Sequence, residues 1–207
     1  YEKIKLILEA AGAGFDDVVK TTQYIAPAGC GNYEAANEVS RKYFKDNFPA
    51  VTQVVVDRLL RPDALLEVEC VAIVDGSKKE IIDPRWPLSS TSVQSPAVKK
   101  GNLLYLSGQK GIDMRTGKIV GENDIVTQMK QTFENVGTIL KTAGADFSDV
   151  VKTVDFVVPA GLENYRATAN VRREYFKDSL PPATGIVMNR LPQEGLLIEV
   201  DFIVVAS

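Results

Sequence analysis

The chain has 207 residues, of which 45% are hydrophobic and 25% are charged, and its formal net charge is −3. This composition is that of an ordinary soluble globular protein, with room for one large domain or two small ones. The negative charge and the lack of any basic run longer than two residues argue against a nucleic-acid partner. No apolar run reaches the roughly 18 residues that a membrane helix needs, and no signal peptide is evident, so the sequence predicts a cytoplasmic protein without a membrane partner.

The first part of the chain shows a helix, a strand, a second helix and two further strands. Ile4, Ile7 and Leu8 recur at helical spacing, and Gly12 fits the end of that helix. Asn32 is a suitable N-cap for the second helix. The predicted elements are a helix over 1–11, a strand over 18–26, a helix from 32 to about 45, and strands over 51–59 and 65–74.

Residues 76–88 are polar and rich in turn-forming residues, which predicts a linker. The predicted elements after it are strands over 92–98 and 103–107, a hairpin of 112–114 and 118–120, a helix from about 124 to 143, a strand over 150–158, a helix over 163–177, and strands over 184–191 and 196–205. This order, β-β-β-α-β-α-β-β, predicts an α+β fold with two helices on one face of a mostly antiparallel sheet.

The two parts of the chain are copies of one another. When the sequence is shifted by 132 positions, residues 1–75 align with 133–207 without a gap, and 32 of the 75 pairs are identical. The sequence therefore predicts two domains, 1–75 and 89–207, the first of which lacks the N-terminal strands of the second. Both faces of the last strand are largely apolar, so we expect burial against the other copy or in a homo-oligomer.

The chain contains no histidine, which excludes Ser-His-Asp and Cys-His catalysis and most catalytic zinc sites. Fingerprints of nucleotide cofactors and CxxC motifs are also missing, so we predict no cofactor and no metal. The two cysteines, Cys30 and Cys70, lie opposite Leu162 and Phe202 in the repeat, which favours a role as apolar fillers. Any chemistry must rest on carboxylates, Arg, Lys, Tyr, hydroxyls, backbone groups and water.

The second copy resembles the YjgF/Rid family, often labelled L-PSP endoribonuclease-like. The resemblance rests on an ordered set of short motifs: Leu106–Gln109, Thr116-Gly117, Asp149–Thr153, Asn164-Tyr165, Glu174–Phe176, Pro181–Ala183, Arg190–Pro192 and Ile198–Val200. The first copy matches through Asp17–Thr21, Asn37–Val39, Phe48–Ala50 and Leu66–Val68. The resemblance implies two chorismate-mutase-like α+β domains, trimeric or pseudo-trimeric domain packing in a homo-oligomer, and clefts between subunits that bind a small anionic molecule.

The resemblance also implies a catalytic Glu on the last strand, where it positions water, and this Glu is present as Glu199 and Glu67. In the deaminase branch, an Arg shortly after the Pro that opens the penultimate strand binds the substrate carboxylate through two parallel N–H bonds. The equivalent positions hold Val51 and Ala183. A Tyr of the first strand is replaced by Gln94.

Further substrate-binding candidates follow from the same resemblance. Ser107 and Gly108 offer backbone donors to a small anion, although a tight strand end explains them nearly as well. Thr184 and Gly185 follow the position of the missing Arg. Asn37 occupies the place of the family's helix Asn in the first copy, and Asn170 lies one residue after the equivalent place in the second copy. Arg190, with Arg58, either replaces the missing carboxylate clamp or pairs with the Glu of the last strand.

Three functions remain open from the sequence. The first is a Rid-like hydrolase or deaminase that acts on a small reactive imine or enamine through water held by Glu199. The second is a non-catalytic small-ligand-binding or scaffold protein, favoured by the loss of both clamp arginines. The third is the C-terminal tandem region of a protein like diphthine–ammonia ligase, in which such copies follow an ATP-using domain. Ribonuclease activity is disfavoured by the negative charge and the absence of histidine.

Overall fold

The computed structural model of the chain describes residues 1–87 and 92–206, which form two β-sheets with helices packed on them. The first half contains α1 (Glu2–Ala10), β1 (Val18–Ile25), α2 (Tyr33–Phe44), β2 (Ala50–Val55) and β3 (Leu66–Ala72). Its three strands lie in the order β2-β1-β3, with β1 and β2 parallel and β1 and β3 antiparallel.

The second half contains a larger sheet. Its elements are β4 (Glu80–Ile82), β5 (Ala97–Lys100), β6 (Leu103–Leu106), β7 (Gln109–Lys110), α3 (Ile125–Thr142), β8 (Val150–Val157), α4 (Thr168–Phe176), β9 (Ala183–Val187) and β10 (Ile198–Val205). The strand order is β4-β5-β6-β10-β8-β9, and the short β7 also pairs with β10. The alternating apolar residues of β10 and the apolar stripe of α3 form the main core, with Phe133 and Phe202 in edge-to-face contact at 5.6 Å.

The two sheets pair their shared strands in the same register. In the first sheet Thr21 lies opposite Val51 on one side and Cys70 on the other. In the second, Thr153 lies opposite Ala183 and Phe202, which are the same positions shifted by 132. The α+β fold expected from the sequence is therefore present, and the sequence copies correspond to matching three-stranded units.

Some predicted boundaries were wrong. The predicted linker contains β4, which pairs with β5 and buries Ile82, so polar composition concealed an edge strand that is exposed on one side. The strand predicted from 92 begins only at Ala97, and the hairpin predicted over 112–120 is reduced to a single bridge between Ile112 and Ile119. Residues 88–91, at the junction of the predicted linker and second domain, lie outside the described residues.

The halves meet where β2 lies against the end of β6. The Val51 amide donates to Ser107 Oγ at 2.8 Å, and the Gly108 amide donates to the Val51 carbonyl at 3.0 Å. Close by, Lys20 Nζ donates to Thr52 Oγ1 at 2.7 Å and pairs with Asp201 at 2.6 Å. This contact buries β2, whereas the equivalent strand β9 is exposed along its whole length.

The described residues contain neither a helix that could span a membrane nor a cluster of metal-ligating side chains. None of the helices in 1–87 and 92–206 is long and apolar enough to cross a membrane. Within the same ranges, no cluster of three or more Asp, Glu, Cys or His side chains is placed to hold a metal ion.

Candidate functional site

The site is built around Glu199, which is fully buried although it is ionisable. On β10 its neighbours Ile198 and Val200 enter the apolar core, so alternation along the strand turns Glu199 to the opposite face. Burial raises the pKa of the Glu199 carboxyl, because removal from water disfavours the charged form, and the nearby Lys110 charge only partly offsets this. Neither carboxyl oxygen accepts a hydrogen bond of good geometry from the described residues, although both oxygens are buried, which is an uncommon state for an ionisable group.

Gly108 makes room for this carboxyl. A Cβ at position 108 would lie 1.9 Å from Glu199 Oε1, a distance that no side chain can adopt without moving the carboxyl. Glycine is therefore required here by the close approach of Glu199, which the strand-end motif alone did not reveal.

Lys110 is the charged partner of Glu199. The two residues are directly opposite each other in the antiparallel pairing of β7 and β10, so their side chains share a face. Lys110 Nζ lies 3.3 Å from Glu199 Oε2 and 3.3 Å from the Gly108 carbonyl oxygen. The Lys110 side chain keeps 17% of its surface exposed, whereas the Glu199 side chain keeps none. Of the two partners, only Lys110 is therefore accessible from outside the protein.

A cavity of about 320 Å³ lies beside Lys110 and Gly108, and Glu199 lies behind its wall rather than in its lining. Its wall includes Trp86, Gln94, Ser107, Gly108, Lys110 and Met114. Among the described residues that line it, Lys110 is the only one that carries a charge. The volume is at the lower end of the range for ligand pockets and suits a small metabolite.

Helix α3 holds both strands of the site in place. Gln128, which is fully buried, accepts a hydrogen bond from the Leu197 amide at 2.7 Å, two residues before Glu199. Asn135, two turns further along the helix, donates to the carbonyls of Lys110 at 3.2 Å and Ile112 at 2.9 Å. Buried and satisfied amides of this kind fix the relative position of the two strands, and hence of the two charged groups.

The first half contributes a polar group near the same carboxyl. Tyr33 donates to Gln23 and accepts from Gln53 Nε2 at 2.6 Å. Burial raises the pKa of the Tyr33 hydroxyl first, and the Tyr1 and Glu199 charges raise it further. Val51, which stands where the clamp arginine was expected, is buried against Ser107.

Of the residues proposed from the sequence, Ser107 and Gly108 line this cavity together with Gln94, and Glu199 lies behind Gly108 in close contact with it. Arg190 lies elsewhere: its guanidinium is exposed and approaches the Pro27 carbonyl at 3.5 Å. The expectation that an arginine of the penultimate strand pairs with the last-strand Glu was wrong for Glu199, because its ion-pair partner is Lys110.

The remaining candidates also lie outside the lining of that cavity. Glu67 is exposed on β3, and Thr184 and Gly185 are exposed on β9, where Thr184 borders a different cavity beside Lys20 and Asp201. Asn37 donates to Glu34 within α2, and Asn170 accepts from Arg173 within α4. The clefts to which the resemblance assigned them are therefore not formed around these side chains by the described chain.

Sequence reasoning missed Lys110 altogether. The available signal was its position two residues after Gly108 in the run Gly108-Gln109-Lys110, which places it on the same side of a strand as the glycine. The pairing of that strand with β10 was not predicted, and without it nothing connects Lys110 to Glu199.

Comparison with known proteins defines the class of this fold and site. The sequence model of the Endoribonuclease L-PSP family matches residues 1–74 and 88–206, so the chain belongs to this family. Among curated relatives, it is similar to a RutC family protein of Pyrococcus horikoshii, with 37% identity over 125 residues, 60% of this chain and 96% of the relative.

More specific names occur among the other relatives. The chain is 36% identical to the mouse 2-iminobutanoate/2-iminopropanoate deaminase over 111 residues, 54% of this chain and 79% of that protein. Among solved structures, a Rid family protein from Yersinia pestis matches with a TM-score of 0.56 and 29% identity, over 62% of this chain and 99% of that one. Escherichia coli TdcF, solved with bound serine, matches with a TM-score of 0.54 and 26% identity, over 62% and 99%.

Proposed function

We propose that this chain is a Rid-like hydrolase that deaminates a small reactive imine or enamine metabolite, with the attacking water positioned by Glu199. One observation carries the proposal. A fully buried carboxyl with a raised pKa lies immediately behind the wall of a small cavity, with both oxygens free of hydrogen bonds from the described residues. The similarity to proteins named imine deaminases and to a serine-binding structure supports the substrate size and class.

The reaction requires a carboxyl that can accept and return a proton. Water oxygen attacks the imine carbon, a C–O bond forms, and the π electrons move to nitrogen. One water proton passes to Glu199 and from there to the nitrogen, which gives a carbinolamine. The carboxylate then takes the remaining hydroxyl proton and delivers it to the nitrogen as the C–N bond breaks, so that ammonia leaves and the oxygen becomes the carbonyl of the product. A raised pKa brings the carboxyl closer to the operating pH, where a general acid–base group is most effective.

We also infer that the chain is a tandem of two Rid-like domains whose contact resembles one interface of a trimer. The burial of β2 against Ser107 and Gly108 supports this, and the exposure of β9 favours a further domain of the same kind as its partner, in a homo-oligomer. A non-catalytic ligand-binding role is the alternative, and the presence of Val51 and Ala183 where an arginine was expected favours it.

Substitution of Glu199 tests the proposal and separates it from the alternative. We expect Glu199→Gln to lower the rate of imine consumption by at least about 100-fold, the lower end of general acid–base effects. The substrate is 2-iminopropanoate, which an amino-acid oxidase generates in situ from alanine. Semicarbazide traps the imine that remains, so the rate of semicarbazone formation falls as the protein consumes the imine. Glu67→Gln is the matched control, since it makes the same change on the exposed strand β3, and it should leave the rate unchanged.

Two outcomes would overturn the proposal. Equal rates for the wild-type protein and Glu199→Gln would remove Glu199 from the reaction. A wild-type rate no higher than that of the uncatalysed decay would favour the non-catalytic alternative.

A further inference from the structure

Lys110 stands out because its ammonium both pairs with the buried Glu199 and lines the cavity. Its ammonium has three donors, of which one faces Glu199 Oε2 and one faces the Gly108 carbonyl, each at 3.3 Å. The third donor is left for the cavity that Lys110 lines. A cation that faces a carboxyl and a carbonyl, and that keeps a donor for the cavity, is suited to hold an anionic group.

The cavity contains no competing cation. Trp86, Gln94, Ser107 and Met114 are uncharged, and no other charged side chain lines it among the described residues. Arg190 borders a separate cavity formed by the loop before β10. Among the described residues, Lys110 is therefore the one full positive charge that an anion in this cavity meets.

We propose that Lys110 binds the carboxylate of the substrate and so gives this site its preference for small 2-imino acids over uncharged imines. The inference rests on the proposed function and names its substrate class. In a 2-imino acid the carboxylate carbon is bonded directly to the imine carbon. A carboxylate held by Lys110 thus brings the reacting carbon to the cavity wall at Gly108, behind which the Glu199 carboxyl lies 3.3 Å from the same ammonium.

The position explains how the chain can lack an arginine clamp. Val51 and Ala183, at the expected clamp positions, have no charge, whereas Lys110 approaches the cavity from β7 in the same half as Glu199. A lysine is a compact point charge rather than a planar fork, so it anchors a carboxylate without fixing its plane. Charge, rather than orientation, is then the main source of specificity.

Product binding tests the proposal without depending on turnover. Pyruvate, the carboxylate product of 2-iminopropanoate hydrolysis, and its uncharged analogue pyruvamide are titrated into the protein by calorimetry or by ligand-observed NMR. We expect pyruvate to bind at least about tenfold more tightly than pyruvamide, since a charge-assisted hydrogen bond is lost with the amide. Lys110→Met should remove this difference, Lys110→Arg should keep most of it, and the exposed Lys130→Met is the control that should leave it intact.

Removal of one member of a buried ion pair can impair folding, so the double variant Lys110→Met with Glu199→Gln is included, in which no charge is left unpaired. It should fold and bind pyruvate no better than pyruvamide. Equal binding of the two ligands by the wild-type protein, or an unchanged preference in either Lys110→Met protein, would overturn the role of Lys110. Glu199→Gln alone should retain the preference for pyruvate while losing turnover. The failure of the Glu199 mechanism is thereby distinguishable from the failure of the Lys110 proposal.

Discussion

Glu67 and Glu199 occupy the same position in the two halves of the molecule, yet their surroundings differ completely. Glu67 lies opposite Tyr24 and Glu199 lies opposite Phe156, which are equivalent residues of the repeat. In the first sheet β3 is an edge strand among the described residues, and Glu67 is exposed. In the second sheet β6 and β7 pair with β10, and Glu199 is fully buried.

The comparison shows that the residue on the last strand does not make a site by itself. The raised pKa of Glu199 arises from burial, and Glu199 is packed against Gly108, between β6 and β7, and against Lys110 of β7. Glu67 keeps the carboxyl of the motif, but no strands equivalent to β6 and β7 pair with β3 among the described residues, so the carboxyl is exposed. The same reasoning applies to the other charged residues that the repeat duplicates.

Substitution of the equivalent residues Lys20 and Lys152 should give the largest difference in the free energy of unfolding between the two halves. Lys20 is 5% exposed and joins the halves through Thr52, the Leu106 carbonyl and Asp201, whereas Lys152 is exposed. Lys20→Met leaves Asp201 at a buried interface without its cation, and we expect it to lower the free energy of unfolding by about 3 kcal/mol. Lys152→Met should change it by less than about 0.5 kcal/mol. Urea denaturation of both variants measures the difference.

If Lys20→Met and Lys152→Met lowered the free energy of unfolding by the same small amount, the contact of Lys20 between the halves would not be important for stability. The double variant Lys20→Met with Asp201→Leu removes both charges. It therefore distinguishes the loss of the ion pair from the cost of leaving Asp201 unpaired. It should recover most of the stability, because an apolar pair of similar volume can replace a buried ion pair.

The burial of Glu199 should make the free energy of unfolding depend on pH in a way that the exposed Glu67 does not. Burial raises the folded-state pKa of Glu199 above its ordinary value of 4.5, so the folded protein binds this proton more tightly than the unfolded chain. The associated stability is present below about pH 4.5 and is lost as the pH rises through the folded pKa. Relative to Glu199→Gln, the wild-type protein should therefore lose up to about 1.4 kcal/mol per pH unit in that interval.

Stability curves between pH 4 and pH 8 check the sign as well as the size of this effect. The curve of Glu67→Gln should run parallel to that of the wild-type protein over the whole interval. A difference between the wild-type protein and Glu199→Gln that grows toward low pH would show that Glu199 is ionised and stabilising in the folded state, contrary to the burial argument.

The sequence contained enough information to predict the fold, because the repeat fixed the equivalent elements and the hydrophobic periodicity located the long ones, such as α3 and β10. It also contained Glu199, Ser107 and Gly108 as a motif. It could not supply the pairing of β7 with β10, since two residues are too short for a periodicity to be recognised. Lys110 and the close approach of Gly108 to Glu199 depend on that pairing, which is why the cation of the site was not predicted.

The smallest of the expected effects concerns the start of α3. Asp124 caps this helix by accepting bonds from the Val126 amide at 3.0 Å and the Thr127 amide at 3.3 Å. Asp124→Ala should lower the free energy of unfolding by about 1 kcal/mol, and the exposed neighbour Glu122→Ala should lower it by less than about 0.5 kcal/mol.

The pH dependence of this cap has the opposite sign to that of Glu199. The hydrogen bond from Thr127 lowers the pKa of Asp124, so its contribution is present at neutral pH and is lost as the pH falls through the folded pKa. Gln128 follows the capped turn and holds Leu197 next to Glu199 through interactions of its own. Turnover of Asp124→Ala should therefore stay within about twofold of wild type, because one lost cap frays a helix end without releasing a buried amide. A larger loss of turnover would show that the first turn of α3, and not only Gln128 and Asn135, positions the Glu199–Lys110 pair.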